Sequence, residues 1–123
     1  MHVELYEGSG FTAIYSTGYA FAALKADGSI SAWGDSRYGG SGAPAGSGFT
    51  AIYSTEQAFA ALKEDGSISA WGDSSRGGSG APTGSGFTAI YSTNTAFAAL
   101  KADGSISGWG DSSNTARILF SER

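Results

Sequence analysis

Three short runs of apolar and polar positions, each bounded by turn formers, occupy residues 11–35. Residues 11–17 have strand composition, with Phe11, Ile14, Tyr15 and two threonines and no helix breaker. A turn at Thr17-Gly18 leads into a second strand over residues 19–25, where Ala22 and Leu24 fall on one side and Phe21 and Ala23 on the other. Asp27-Gly28 predicts a hairpin, the glycine taking the positive φ that such turns require. A third strand over residues 29–35 puts Ile30 and Ala32 on one side and Trp33 on the other. The alanine-rich run at 20–26 has helical propensity, but it spans about two turns, below what stands alone in water. The Asp-Gly turn and the strand after it complete a hairpin instead. By the same alternation Ile14 is expected on one face of the first strand, and Phe11 and Tyr15 on the other. Both faces of the small sheet are therefore apolar. A sheet with one solvated face alternates polar and apolar cleanly, so this one must be covered on both sides.

The pattern returns at a spacing of 38 residues, marked by Trp33, Trp71 and Trp109. The chain reads as a single repeat domain: a first repeat at 9–46, a second at 47–84 and a third at 85–112, flanked by terminal strands at 1–8 and 113–123. Repeats one and two differ at only six of 38 positions. Neighbouring repeats are the expected covers for one another's apolar faces. Residues 35–46 form a glycine-rich connector without periodicity. At the chain ends, Val3, Leu5 and Tyr6 and then Ile118, Leu119 and Phe120 occupy the connector slot with apolar side chains. These six residues are expected to form an assembly seam, because terminal units cap an array or close a ring.

Composition narrows the partners. The net charge is −4 and no cluster of Lys or Arg occurs, which argues against nucleic acid and anionic membrane surfaces. There is no cysteine for a disulfide or a thiolate metal site. No apolar run approaches transmembrane length, and residues 1–5 do not resemble a signal peptide, so a soluble chain is expected. The 20 glycines recur at fixed repeat positions and read as turn punctuation rather than disorder.

The segment from 20 to 42 resembles a repeat of the regulator of chromosome condensation family, through Leu24, Asp27, Gly28, Ile30, Trp33, Gly34, Tyr38, Gly39 and Gly42. The second repeat matches at Leu62, Asp65, Gly66, Ile68, Trp71, Gly72, Gly77 and Gly80, with Arg76 at the tyrosine position. The third keeps Leu100, Asp103, Gly104, Ile106, Trp109 and Gly110 and loses the glycine tail. The resemblance implies blades of a β-propeller, here with a period shorter than that family's. The loops and basic tails behind the family's chromatin and GTPase-partner activities are absent, so none of those activities is carried over. Three hairpin units of this length are also similar to the monocot mannose-binding lectins, a three-fold β-prism, although their sugar motif Gln-x-Asp-x-Asn-x-Val-x-Tyr occurs in no repeat. The fold expected is all-β: three tandem short antiparallel β-blades, propeller-like. Since three blades are fewer than the four to eight or so that close a propeller, two chains are expected to join as a homodimer in a six-bladed ring. A β-prism or a β-trefoil is the alternative.

No catalytic constellation emerges. His2 is the sole histidine, and the aspartates at 27, 65 and 103 read as turn formers rather than calcium ligands, since no oxygen-bearing residues alternate around them. Asp35, Asp73 and Asp111 read as caps of the following turn, and the tryptophans as core. Neither enzyme activity nor a cofactor or metal is expected. Variation between repeats concentrates at Gly18-Tyr19, Glu56-Gln57 and Asn94-Thr95, and again at Arg37-Tyr38, Ser75-Arg76 and Ser113-Asn114. Loops carry recognition on rigid scaffolds. Tyr19, Gln57, Thr95, Tyr38 and Arg76 are therefore the candidate ligand-binding residues of a non-enzymatic binding or assembly module, for a protein or a glycan. The other readings are a lectin-like glycan binder, or a purely structural repeat from a longer surface or adhesin-like array.

Overall fold

A computed structural model describes residues 10–111. It is all-β, with nine strands in three successive antiparallel sheets. The first sheet comprises β1 (Phe11–Ser16), β2 (Ala20–Lys25) and β3 (Ile30–Gly34). The second comprises β4 (Phe49–Ser54), β5 (Ala58–Lys63) and β6 (Ile68–Gly72). The third comprises β7 (Phe87–Ser92), β8 (Ala96–Lys101) and β9 (Ile106–Gly110). In each sheet the alanine-rich strand is central, as the two-sided apolar pattern requires. The three sheets follow one another in tandem and are not closed into a ring. The terminal stretches holding Val3, Leu5, Tyr6, Ile118, Leu119 and Phe120 lie outside the described residues.

The turn between β2 and β3 is longer than a two-residue Asp-Gly turn. Gly28 N–H donates to the Lys25 carbonyl, and Lys25 N–H to that of Ser29, so Ala26, Asp27 and Gly28 form a three-residue loop. Gly28 has φ +84°, while among the described residues no non-glycine residue has positive φ. That combination is a type I turn closed by a glycine bulge, and the Asp27 side chain fixes it by accepting from the Ser29 amide at 2.9 Å and hydroxyl at 2.7 Å.

One face assignment is overturned. Ile14 pairs with Ala23 and Phe11 with Lys25, with a register shift between Phe11 and Ala13. The extra residue there, Thr12, inverts the alternation, so Phe11 joins Ile14 on the face of Phe21, Ala23 and Trp33 instead of opposing it. The Thr12 hydroxyl donates to the Leu24 carbonyl at 3.1 Å, and Thr50 and Thr88 repeat the bond to Leu62 and Leu100. Each unit thus has an aromatic face and an alanine face, the latter carrying Ala20, Ala22, Leu24 and the half-buried Ala13, Tyr15, Ile30 and Ala32.

These faces pack in one direction. The alanine face of the first sheet meets Phe49, Ile52, Phe59, Ala61 and Trp71 of the second. Ala58, Ala60 and Leu62 of the second meet Phe87, Ile90, Phe97, Ala99 and Trp109 of the third. The connector is structured: Ser36–Tyr38 and Ser74–Arg76 make single 3-10 turns, capped by Asp35 and Asp73. Each connector then crosses onto the following unit. The Trp71 Nε1–H donates to the Gly39 carbonyl at 3.1 Å, and Trp109 repeats the bond to Gly77. Gly39 has φ +108°, and a Cβ there would come 2.5 Å from the Phe59 ring, so only glycine fits.

Phe59 and Phe97 are fully buried between the preceding sheet, its connector and the tryptophan stacked beside each, with ring centroids 5.2 and 5.3 Å apart. Phe59→Ala and Phe97→Ala are each expected to lower the unfolding free energy by about 3–5 kcal/mol. Phe21→Ala should cost less, because Phe21 is half-buried where Phe59 and Phe97 are fully buried. Equilibrium denaturation followed by tryptophan fluorescence checks this; equal losses at all three sites would contradict it.

Candidate functional site

The two variable loops of the first repeat, and those of the second, come together at one end of the sheet; in the third repeat the second variable loop, at 113–114, lies outside the described residues. The link is a threonine present in every repeat. Thr17 Oγ1 accepts from the Tyr19 and Ala20 amides at 3.2 and 3.0 Å and donates to the Tyr38 carbonyl at 3.1 Å. Thr55, buried among its neighbours, accepts from the Gln57 amide and donates to the Arg76 carbonyl at 2.9 Å. Thr93 accepts from the Thr95 and Ala96 amides. Backbone bonds add to the clasp, since the amides of Asp35, Asp73 and Asp111 donate to the carbonyls of Tyr19, Gln57 and Thr95.

Of the candidate residues, Tyr19 and Tyr38 are in direct contact, their ring centroids 4.8 Å apart and tilted by 40°. The Arg37 guanidinium lies over the Tyr38 ring at 5.0 Å and pairs with Asp35 at 2.9 Å. Gln57 and Arg76 flank Thr55, and Arg76 reaches across to Asp111 of the next unit at 3.6 Å. Thr95 holds the equivalent place in the third unit. The site residues that sequence reasoning missed are the threonines themselves; their presence in all three repeats, beside positions that vary, was the available signal.

The units are laced together along this end. Gly18 N–H donates to the Glu56 carbonyl, and Glu56 N–H to the Asn94 carbonyl, at 2.9 Å each. The result is an open polar groove of about 340 Å³ lined by the same three positions of each unit: Ser16, Thr17 and Gly18; Ser54, Thr55 and Glu56; Ser92, Thr93 and Asn94. Only the third position of each set differs, so the groove has a fixed hydroxyl lining and a changing edge.

The repeated acids are occupied with the backbone. Asp27, Asp65 and Asp103 each accept from the serine two residues on, by hydroxyl and amide. These bonds, the hydroxyl's first for Asp27 and Asp65 and the amide's first for Asp103, hold the carboxyls below the ordinary range. Asp35 is lowered by its bonds from Arg37, and Asp73 by those from Ser75. Among the described residues no group of three His, Cys, Asp or Glu side chains converges to hold a metal ion, and no helix is long and apolar enough to cross a membrane.

No protein-family model matches the chain, and no curated protein matches it. Among solved structures it is similar to the crystal structure of the computationally designed Ika4 protein, with a TM-score of 0.50 at 18% identity. The match covers 81% of this chain and 65% of that one, so the chain spans less than two-thirds of the Ika4 length. At that identity the likeness concerns the fold alone.

The lowered turn aspartates set the direction of a pH response. An unfolded chain, with ordinary aspartates, takes up protons before the folded one does. The stabilisation is therefore present above about pH 4 and is lost as pH falls through the folded values. Thermal melts between pH 6 and pH 2.5 or so should show declining stability, and Asp65→Asn should flatten part of that decline. An unchanged slope in Asp65→Asn would show that the turn bonds do not carry it.

Proposed function

We propose that the three sheets are blades of a β-propeller and that the chain is a non-enzymatic scaffold presenting a rim of variable side chains to a ligand. The observation that carries this reading is the convergence of both variable loops on one edge in the first and second units, clasped by an unvarying threonine. Packing positions scarcely change from repeat to repeat, while the rim changes in chemistry: Tyr19, Tyr38 and Arg37 in one unit, Gln57, Arg76 and Glu56 in the next, Thr95 and Asn94 in the third. Three unlike patches side by side suit one extended, irregular ligand. A polypeptide segment has that character, whereas repeated lectin sites would carry the same sugar-binding residues in each unit.

Tyr19 and Tyr38 form the best anchor on the rim, because an exposed ring braced by a half-buried one offers large contact area with little side-chain entropy to lose. Selection from a displayed peptide library is expected to yield binders, and a glycan array run in parallel is expected to yield none. Tyr19→Ala and Tyr38→Ala should each weaken the selected peptides about tenfold, corresponding to roughly 1.4 kcal/mol. Gln57→Ala, Arg76→Ala and Thr95→Ala should have smaller effects. Binding that survives all five substitutions, or that is confined to glycans, would overturn the reading.

A further inference from the structure

Contacts between consecutive units have a direction, and among the described residues two backbone rows stop unfinished at the third unit. Along the rim, amides donate forward from Gly18 to Glu56 and from Glu56 to Asn94. Asn94 N–H and the Gly18 carbonyl, the two ends of that row, have no hydrogen-bond partner among the described residues. At the opposite end of the units, amides donate backward: Gly48 to Asp27 and Phe49 to Gly28, then Gly86 to Asp65 and Phe87 to Gly66. Gly28 and Gly66 are buried by that contact, each a Cβ's 2.5 Å from the following glycine's amide, while a Cβ at Gly104 would meet nothing within 4 Å.

The packing faces tell the same story through identical residues. Ile52 and Ile90 are 2% and 3% exposed against the preceding unit, and Ile14 is 63% exposed. Tyr15 and Tyr53 are half-buried under the following unit, and Tyr91 is 62% exposed. Around Tyr91, the alanine face of the third unit opens an apolar groove of about 320 Å³ with Ala98, Leu100 and Ile106 along it.

We infer that a second copy of this chain completes these rows, its first unit docking on the third unit of the partner as units two and three dock within the chain. The complementary surface already exists in the sequence, because the residues that cover the alanine face inside the chain recur in the first unit at the same register. The joint is head-to-tail, and two copies satisfy each other's loose ends in one closed pair related by a two-fold axis. Six units then fall within the number that closes a propeller, about four to eight. This inference rests on reading the sheets as propeller blades.

The absence of cysteine makes the joint directly readable. Ile14→Cys and Tyr91→Cys chains, mixed and treated with a short thiol-specific cross-linker, should give the mixed 14–91 product and little 14–14 or 91–91 product. Light scattering of the unmodified protein at micromolar concentration should give twice the chain mass. Leu100→Glu, which places a charge in the apolar groove, should raise the dissociation constant about a hundredfold or more. A predominant 91–91 product, a polymer, or a stable monomer whose ends fold over its own outer faces overturns the inference. Loss of peptide binding on the rim of an intact 14–91 dimer would instead overturn the functional reading and leave the joint standing.

Discussion

The contact on which this architecture depends is a pair of flat rings laid on a floor of alanines. Phe59 and Trp71 rest on Ala20 and Ala22, and Phe97 and Trp109 on Ala58 and Ala60. Neither partner works without the other: large side chains on both faces would hold the sheets too far apart, and small ones on both would leave voids. Alternation supplies the arrangement, since a strand with alanine at even positions and Phe21 at an odd one shows a smooth face forward and an aromatic one back. The glycine connector closes the assembly by passing over the rings and giving its carbonyl to the tryptophan N–H, a polar group that burial would otherwise leave unsatisfied. Packing, polar satisfaction and chain path are thus settled by one motif.

Because that motif sits in the middle of the sheets, the rim's variable side chains are largely relieved of holding the units together. Backbone amides of Gly18 and Glu56 do the lacing, and a backbone bond is indifferent to the side chain beside it. The threonine hydroxyl holds both loops by their amides and carbonyls for the same reason. Variation at Tyr19, Gln57 and Thr95, or at Tyr38 and Arg76, therefore leaves the backbone lacing untouched. The chemistry of the edge and the stability of the fold are separately adjustable.

Much of this was legible in the sequence, for identifiable reasons. Strands β1 to β3 lie within a residue of where alternation and the Asp27-Gly28 turn place them, because period-two patterning and turn chemistry are local properties. The two-sided apolar pattern also required that neighbouring units cover one another. The bulge at Thr12 escaped, because a residue left over in a pairing register belongs to two strands at once and has no signature in one. The destination of the connector escaped too: Gly39 shows no periodicity, and its role appears only when the Phe59 ring is beneath it. The meeting of Tyr19 with Tyr38 is likewise a product of strand pairing, which brings the ends of β1 and β3 to the same edge.

The connector's crossing onto the following unit has a consequence for how such a chain can change length. The covalent repeat and the packed unit are out of step, so no cut through the gene coincides with a clean structural boundary. Yet the residues on either side of every joint are nearly the same. A duplication or deletion of one 38-residue period, wherever in the repeat its breakpoints fall, rebuilds every joint from the same parts. Recombination between the near-identical copies can therefore add or remove whole units in a single step, without passing through a sequence whose core does not fit.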